Sequence, residues 1–157
     1  MQRMLDDYYN GFYNPLFSSS KSLQENDFKK ANELSTWKEK VSLSWNEIKV
    51  ENMFVPDPNR GPIEMEDPFI ADINLNINGL DVDDLGIEVL LGNKQNDGSY
   101  KINQIEQLKP YKFENGIAGF RCNFTLNHAG VHDYAFRVYP KNELLSSRMD
   151  FPLTKWV

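Results

Sequence analysis

The two histidines of the chain are its first candidates for chemistry, because they lie only four residues apart. On a helix, His128 and His132 would share one face, as pairs of zinc ligands often do. Here the spacing straddles the turn Asn127–Gly130, and no third ligand is found beside the pair. We therefore interpret both residues as part of a turn and a strand surface, and we predict no metal site.

An acidic cluster and the single cysteine are the other residues whose types suggest chemistry. Asp81, Asp83 and Asp84 lack the glycine and the distal glutamate of an EF-hand calcium loop, so we expect local turn bonding instead. Cys122 lies on the same side of its predicted strand as Phe120 and Phe124, which predicts a small buried residue and not a nucleophile. No Gly-rich phosphate loop and no Gly-x-Ser-x-Gly elbow occurs. We predict no catalytic residue and no cofactor-binding residue.

The first part of the chain has the apolar spacing of α-helices. In the first 13 residues apolar side chains recur every three or four positions, which predicts an amphipathic helix ended by Pro15. Its aromatic face comprises Tyr8, Tyr9, Phe12 and Tyr13. A second stripe with the same spacing follows a predicted loop at residues 18–20. Its members are Phe28, Ala31, Leu34, Trp37 and Val41. We predict a helical segment over residues 1–47.

From residue 48 onward the apolar residues alternate with polar ones, which is the period of a half-buried strand. The clearest strand is residues 69–77, where five apolar side chains share one face. Further strands are predicted at residues 87–91, 100–108, 116–126 and 132–139. Short strands separated by turns predict a mainly β fold: an immunoglobulin-like antiparallel β-sandwich over residues 48–157, preceded by two amphipathic α-helices.

Composition argues against several classes of function. The net charge is −6 and the basic residues are scattered among acids, so no nucleic-acid surface is predicted. One cysteine excludes an intramolecular disulfide and fits a reducing compartment. The start of the chain has no apolar signal core, and no run of residues is apolar enough to span a membrane. We expect a cytoplasmic protein that does not bind membranes.

Both ends of the chain resemble one family of enzymes. A strand over Tyr134–Tyr139 is followed by Pro140, Leu144-Leu145 and a final Leu153-Thr-Lys-Trp156, which is similar to the C-terminal end of bacterial α-glucan (glycogen) phosphorylases of the shorter type. Residues 3–13 resemble the closing helix of that family's catalytic body, and residues 31–48 resemble its linker helix. The resemblance implies that this chain is the C-terminal region of a larger enzyme.

The resemblance also carries expectations about function. The parent enzyme is expected to use pyridoxal phosphate as a glycosyltransferase of carbohydrate metabolism, phosphorolysing α-1,4-glucans, while this chain has no cofactor of its own. It is expected to be a non-catalytic accessory domain that docks on its catalytic body or a second subunit through Tyr8, Tyr9, Phe12 and Tyr13. Leu153 and Trp156 are expected to anchor the chain end.

Two other classes of function remain open. The first is a glucan-binding β-sandwich module, in which sugar rings stack on exposed aromatic side chains. Its candidate residues are Tyr100, Tyr111, Phe113 and Tyr139. The second is a free-standing small enzyme, which would require a pocket with convergent titratable groups.

Overall fold

The structure is a computed structural model, and it describes residues 3, 9, 13–56, 68–95, 97–127 and 133–157. One long helix precedes seven strands, and two short 3₁₀ turns lie among the strands. In chain order these elements are α1 (Asn14–Trp45), β1 (Lys49–Phe54), β2 (Pro68–Asn76), the first 3₁₀ turn (Val82–Asp84), β3 (Leu85–Lys94), β4 (Tyr100–Glu114), β5 (Ile117–Thr125), β6 (Asp133–Pro140), the second 3₁₀ turn (Arg148–Asp150) and β7 (Lys155–Trp156).

The seven strands form one antiparallel sheet in the order β1-β2-β5-β4-β3-β6-β7. β4 joins its two halves, because its first part pairs with β3 and its last part, from Lys109 onward, pairs with β5. The sheet curls, so that Phe69 of β2 and Tyr134 of β6 contact each other with their ring centroids 5.4 Å apart. The mainly β prediction is confirmed, and the immunoglobulin-like sandwich stays a prediction.

The core lies inside this curl, and strand alternation supplies it. All five apolar residues predicted to share one face at residues 69–77 are completely or almost completely buried, and the inward residues of β3, β5 and β6 pack against them. Burial of each phenylalanine, leucine or isoleucine among them contributes roughly 1.5–3 kcal/mol. The hydrophobic pattern of the strands therefore determined which face of the sheet is covered.

Among the described side chains of helix α1, those buried against the sheet lie in its last turns. Val41 and Trp45 are buried in the core, and Trp37 packs beside them with its indole Nε1 donating to Asp84 Oδ1 at 2.7 Å. The spacing of four residues places these three side chains on one side of the helix. Phe17 and Phe28, further toward the N-terminus, are more than half exposed.

The structure corrects the prediction for the helical segment. The loop predicted at residues 18–20 is wrong, because these residues lie inside α1. Pro15 is the second residue of α1, where its missing N–H removes no helical hydrogen bond. The predicted first helix falls mostly outside the described residues, so two separate helices are not confirmed. Phe28 has φ +61°, which interrupts the right-handed geometry midway along α1.

Candidate functional site

The outer face of β1, β2, β5 and the end of β4 carries an open groove of about 490 Å³. We call it the polar groove, and it is lined by Asn52, Phe54, Ile70, Asp72, Asn74, Tyr111, Arg121 and Asn123. Strand alternation explains this composition. Residues 70, 72 and 74 point outward because residues 69, 71 and 73 fill the core.

Asp72 is the centre of the polar groove. Arg121, directly opposite on β5, donates to Asp72 Oδ2 from Nε at 3.0 Å and from Nη2 at 2.7 Å. Asp72 Oδ1 accepts from the Tyr111 hydroxyl at 2.9 Å and from Asn74 Nδ2 at 3.3 Å. One carboxylate therefore holds three side chains from three strands in place.

The Tyr111 ring lies close to the backbone of β5 because of a bulge and a glycine. The pairing of β4 with β5 shifts register between Pro110 and Lys112, which leaves Tyr111 unpaired in the ladder. A Cβ on Gly119 would come within 2.9 Å of the Tyr111 ring, so only glycine leaves room for it. The Arg121 guanidinium lies 4.5 Å from the ring centroid. Burial, followed by the hydrogen bond to Asp72, raises the pKa of Tyr111.

A second groove, of about 480 Å³, lies on the outer face of the other half of the sheet. We call it the apolar groove, and its lining residues are Leu90, Gly92, Tyr100, Ile102, Asp133, Tyr134, Ala135 and Trp156. Tyr100 and Trp156 are exposed at its border. Half of its lining residues are aliphatic or glycine, so its surface is more apolar than that of the polar groove and suits an apolar contact.

A buried carboxylate lies beneath the outer surface of β3. Glu88 is 2% exposed and accepts from Arg137, on the neighbouring β6, and from Arg148 Nη1 at 2.8 Å. Burial raises the pKa of Glu88, but the hydrogen bonds from Arg148 and Arg137 outweigh it and hold the pKa below its ordinary value. The Arg148 guanidinium also lies 3.8 Å from the Tyr139 ring centroid. The cluster attaches the C-terminal tail to the sheet.

The chain end is held by more residues than the sequence indicated. Lys155 Nζ donates to the carbonyl oxygens of Trp45, Asn46 and Ile48 at 3.2, 3.3 and 2.7 Å, so its charge lies at the negative end of α1. Leu153 packs against the core, whereas Trp156 is 58% exposed. The predicted anchoring role of these two residues stays a prediction. Lys155 was missed because nothing in its local sequence reveals that a helix ends beside it.

The predicted docking residues are placed only in part. Tyr9 and Tyr13 are both more than half exposed, and Tyr8 and Phe12 lie outside the described residues. His128 and His132 lie outside them as well.

The acidic cluster engages in local hydrogen bonds. Asp81 caps the first 3₁₀ turn, and its N–H donates to Asp84 Oδ2 at 2.9 Å. Lys40 of α1 reaches both carboxylates, at 2.8 and 3.2 Å. Within the described part of the chain, no group of three or more His, Cys, Asp or Glu residues could hold a metal ion. The aspartates here connect the turn to α1.

Cys122 is a core residue of β5. Its side chain is buried, and burial raises the pKa of the thiol to about 11. A thiol with that pKa carries little thiolate at neutral pH, which does not suit a nucleophile.

The four aromatic residues named for glucan binding do not form one row. Tyr111 lies in the polar groove and Tyr100 in the apolar groove. Tyr139 is buried, and Phe113 is half exposed near the end of β4. Sequence reasoning missed the other lining residues of the polar groove, although the alternation of residues 70–74 contained a signal for some of them.

No α-helix among the residues that the structure describes is long and apolar enough to cross a membrane. The fold and its surfaces thus define a β-rich domain with a leading helix. Residues 45–157 match the model of the glycogen phosphorylase C-terminal domain. The chain belongs to that family.

A curated relative extends the similarity over the helix. The chain is 27% identical over 166 residues to a maltodextrin phosphorylase from Thermococcus litoralis, and the match covers 98% of this chain. It covers 18% of the length of the relative. The resemblance to the C-terminal region of a phosphorylase is therefore confirmed.

The family implies pyridoxal phosphate in the parent enzyme. This cofactor takes a lysine amine for a Schiff base and a set of donors for its phosphate. Neither the polar groove nor the apolar groove of the described residues is lined by a lysine. These two grooves therefore do not fit the cofactor.

Proposed function

We propose that this chain is the non-catalytic C-terminal accessory domain of an α-glucan phosphorylase. The parent protein would cleave α-1,4-glucans with inorganic phosphate, using pyridoxal phosphate bound outside this chain. Membership of the glycogen phosphorylase C-terminal domain family over residues 45–157 is the observation that carries the proposal. The buried thiol and the mutual pairing of the charged groups around Asp72 and Glu88 also support it, because these groups are engaged in holding the fold.

The partner in this proposal is the catalytic body of the same phosphorylase. Exposed aromatic residues in the first half of α1 support docking there, since Phe17 and Phe28 contribute apolar area that the sheet of this chain does not cover. The match covers only 18% of the related phosphorylase, so a large body is the natural occupant of this surface. Tyr8, Tyr9, Phe12 and Tyr13 belong to the same proposed interface. The single cysteine fits a reducing compartment, and we place the protein in the cytoplasm.

The test of catalysis uses the 157-residue chain itself. We expect no release of glucose 1-phosphate when the chain is incubated with maltodextrin, inorganic phosphate and pyridoxal phosphate. The longest reading frame that contains the chain should release it under the same conditions. Phosphorolysis by the chain alone would overturn its non-catalytic role.

Docking is tested in that longer protein with the substitution Phe17→Glu. A buried charge in the interface should detach the domain, which increases the rate of proteolytic cleavage around α1. Met149→Glu is the matched control, because Met149 is an exposed apolar residue of the C-terminal tail. Equal protease resistance of the two variants, or a change only in the association of subunits, would contradict docking on the catalytic body.

A further inference from the structure

We propose that the polar groove binds an α-glucan chain, with Phe54 and Tyr111 as the surfaces on which sugar rings stack. Phe54 is 66% and Tyr111 47% exposed, and they lie on β1 and β4, so β2 and β5 separate them. Polar side chains occupy the floor between them. Apolar faces of a sugar pack on aromatic rings, while its hydroxyls need hydrogen-bonding partners beside those rings.

Two amides of the groove have unused hydrogen-bonding capacity. The side chains of Asn52 and Asn123 are exposed and make no hydrogen bond to any other residue in the described ranges. Each amide offers two N–H donors and a carbonyl oxygen, which can serve vicinal hydroxyls as donor and acceptor at once. These groups are therefore suited to a neutral polyol.

The aromatic platform is organised before any ligand arrives. The hydroxyl of Tyr111 donates to Asp72, Arg121 lies against its ring, and Gly119 lets the ring rest on the sheet. A side chain that is already fixed loses little conformational entropy on binding. Asp72 and Arg121 also neutralise each other, so the groove selects for neither an anion nor a cation.

Comparison of the two grooves favours the polar one. The apolar groove is equally large, at about 480 Å³ against about 490 Å³, and also exposes aromatic residues. Four of its eight lining residues carry a hydrogen-bonding side chain, against six of eight in the polar groove, and leaving a polar group unpaired costs more than a hydrogen bond gains. The choice of α-glucan among carbohydrates rests on the proposed function.

The experiment is affinity electrophoresis of the 157-residue chain in gels that contain glycogen, with Kd measured by calorimetry on a linear maltooligosaccharide. We expect retardation by glycogen and none by a β-1,3-glucan. Tyr111→Ala and Phe54→Ala should each weaken binding about tenfold. Tyr100→Ala is the matched control, because it removes an exposed tyrosine from the apolar groove.

A second variant separates binding from loss of the aromatic ring. Gly119→Ala keeps Tyr111 but displaces its ring, so it should also weaken binding. Circular dichroism and the urea midpoint of each variant establish that it is folded. No retardation of the wild-type chain overturns the proposal, as does loss of binding in Tyr100→Ala with binding retained in Tyr111→Ala. Glycogen retention is measured without phosphorolysis or docking, so its failure and that of the proposed function are distinguishable.

Discussion

Glu88 illustrates how one buried side chain organises the outer surface of the sheet. It lies on β3 opposite Arg137 of β6, and Arg148 reaches it from the C-terminal tail. Removal of the Glu88 carboxylate from water is costly, so the cluster is stable only because two partly exposed guanidinium groups bond to that carboxylate. Loss of the single negative charge leaves two positive charges facing each other.

We predict that Glu88→Gln lowers the free energy of unfolding by about 2 kcal/mol, because charged hydrogen bonds become neutral ones. The pH dependence should change as well. The folded pKa of Glu88 lies below its unfolded value near 4.5, so its contribution is present above that pH and is lost as the pH falls through the folded pKa. Glu88→Gln should remove this part of the acid destabilisation in urea titrations below pH 5.

Glu114→Gln is the control for this prediction. Glu114 is exposed and pairs with Lys112 at 3.0 Å on the surface, where such pairs contribute less than about 1 kcal/mol. Equal costs for the two substitutions would show that Glu88 is not an organising residue.

At the scale of elements, the C-terminal tail secures the end of α1. Lys155 on β7 donates to three carbonyl groups at and beyond the last turn of the helix. Phe151 contacts Trp37 edge to face at 5.5 Å between centroids, and Lys38 donates to the Asp150 carbonyl at 3.1 Å. Two parts of the chain that are more than 100 residues apart in sequence therefore stabilise each other.

Lys155→Met should lower the free energy of unfolding by about 1.5 kcal/mol, since it keeps most of the aliphatic stem but removes the charge from the helix end. Amide hydrogen exchange should speed up near the end of α1. Lys141→Met, at an exposed lysine after β6, should cost less than about 0.5 kcal/mol. Unchanged exchange in Lys155→Met would contradict a capping role.

At the scale of the whole molecule, α1 belongs to two environments. Its last turns bury Val41 and Trp45 in the core of the sheet, whereas Phe17 and Phe28 remain exposed. The proposed accessory role requires this division, because one end of the helix holds the domain and the other would be left to contact the catalytic body.

Deletion of residues 1–28 should change the free energy of unfolding of the remainder by less than about 1 kcal/mol, as the core side chains of α1 are retained. Deletion of residues 1–45 should cost about 3 kcal/mol or more, because Trp37, Val41 and Trp45 are then lost. Urea unfolding followed by circular dichroism measures both. Unfolding of the sheet in the shorter deletion would contradict this division of α1.

Much of the fold could be predicted from the sequence because strand alternation is a local property. The five buried residues at 69–77 and the positions of β3, β5 and β6 follow from period-two spacing and turn residues. The Asn115-Gly116 hairpin between β4 and β5, with φ values of +53° and +79°, was missed despite a strong two-residue signal. The loop at residues 18–20 was wrong because serines also occur within helices when packing or continuity favours them.

The sequence by itself determined the family, the mainly β class and the inward faces of β2, β5 and β6, because these depend on the order and spacing of residues. Only the tertiary structure decided which outward residues meet. Asp72, Tyr111 and Arg121 come from three strands, and their contacts depend on register, on a bulge and on Gly119. The same holds for Lys155 at the end of α1. Long-range contacts of this kind are fixed by the packing of elements, which no local pattern records.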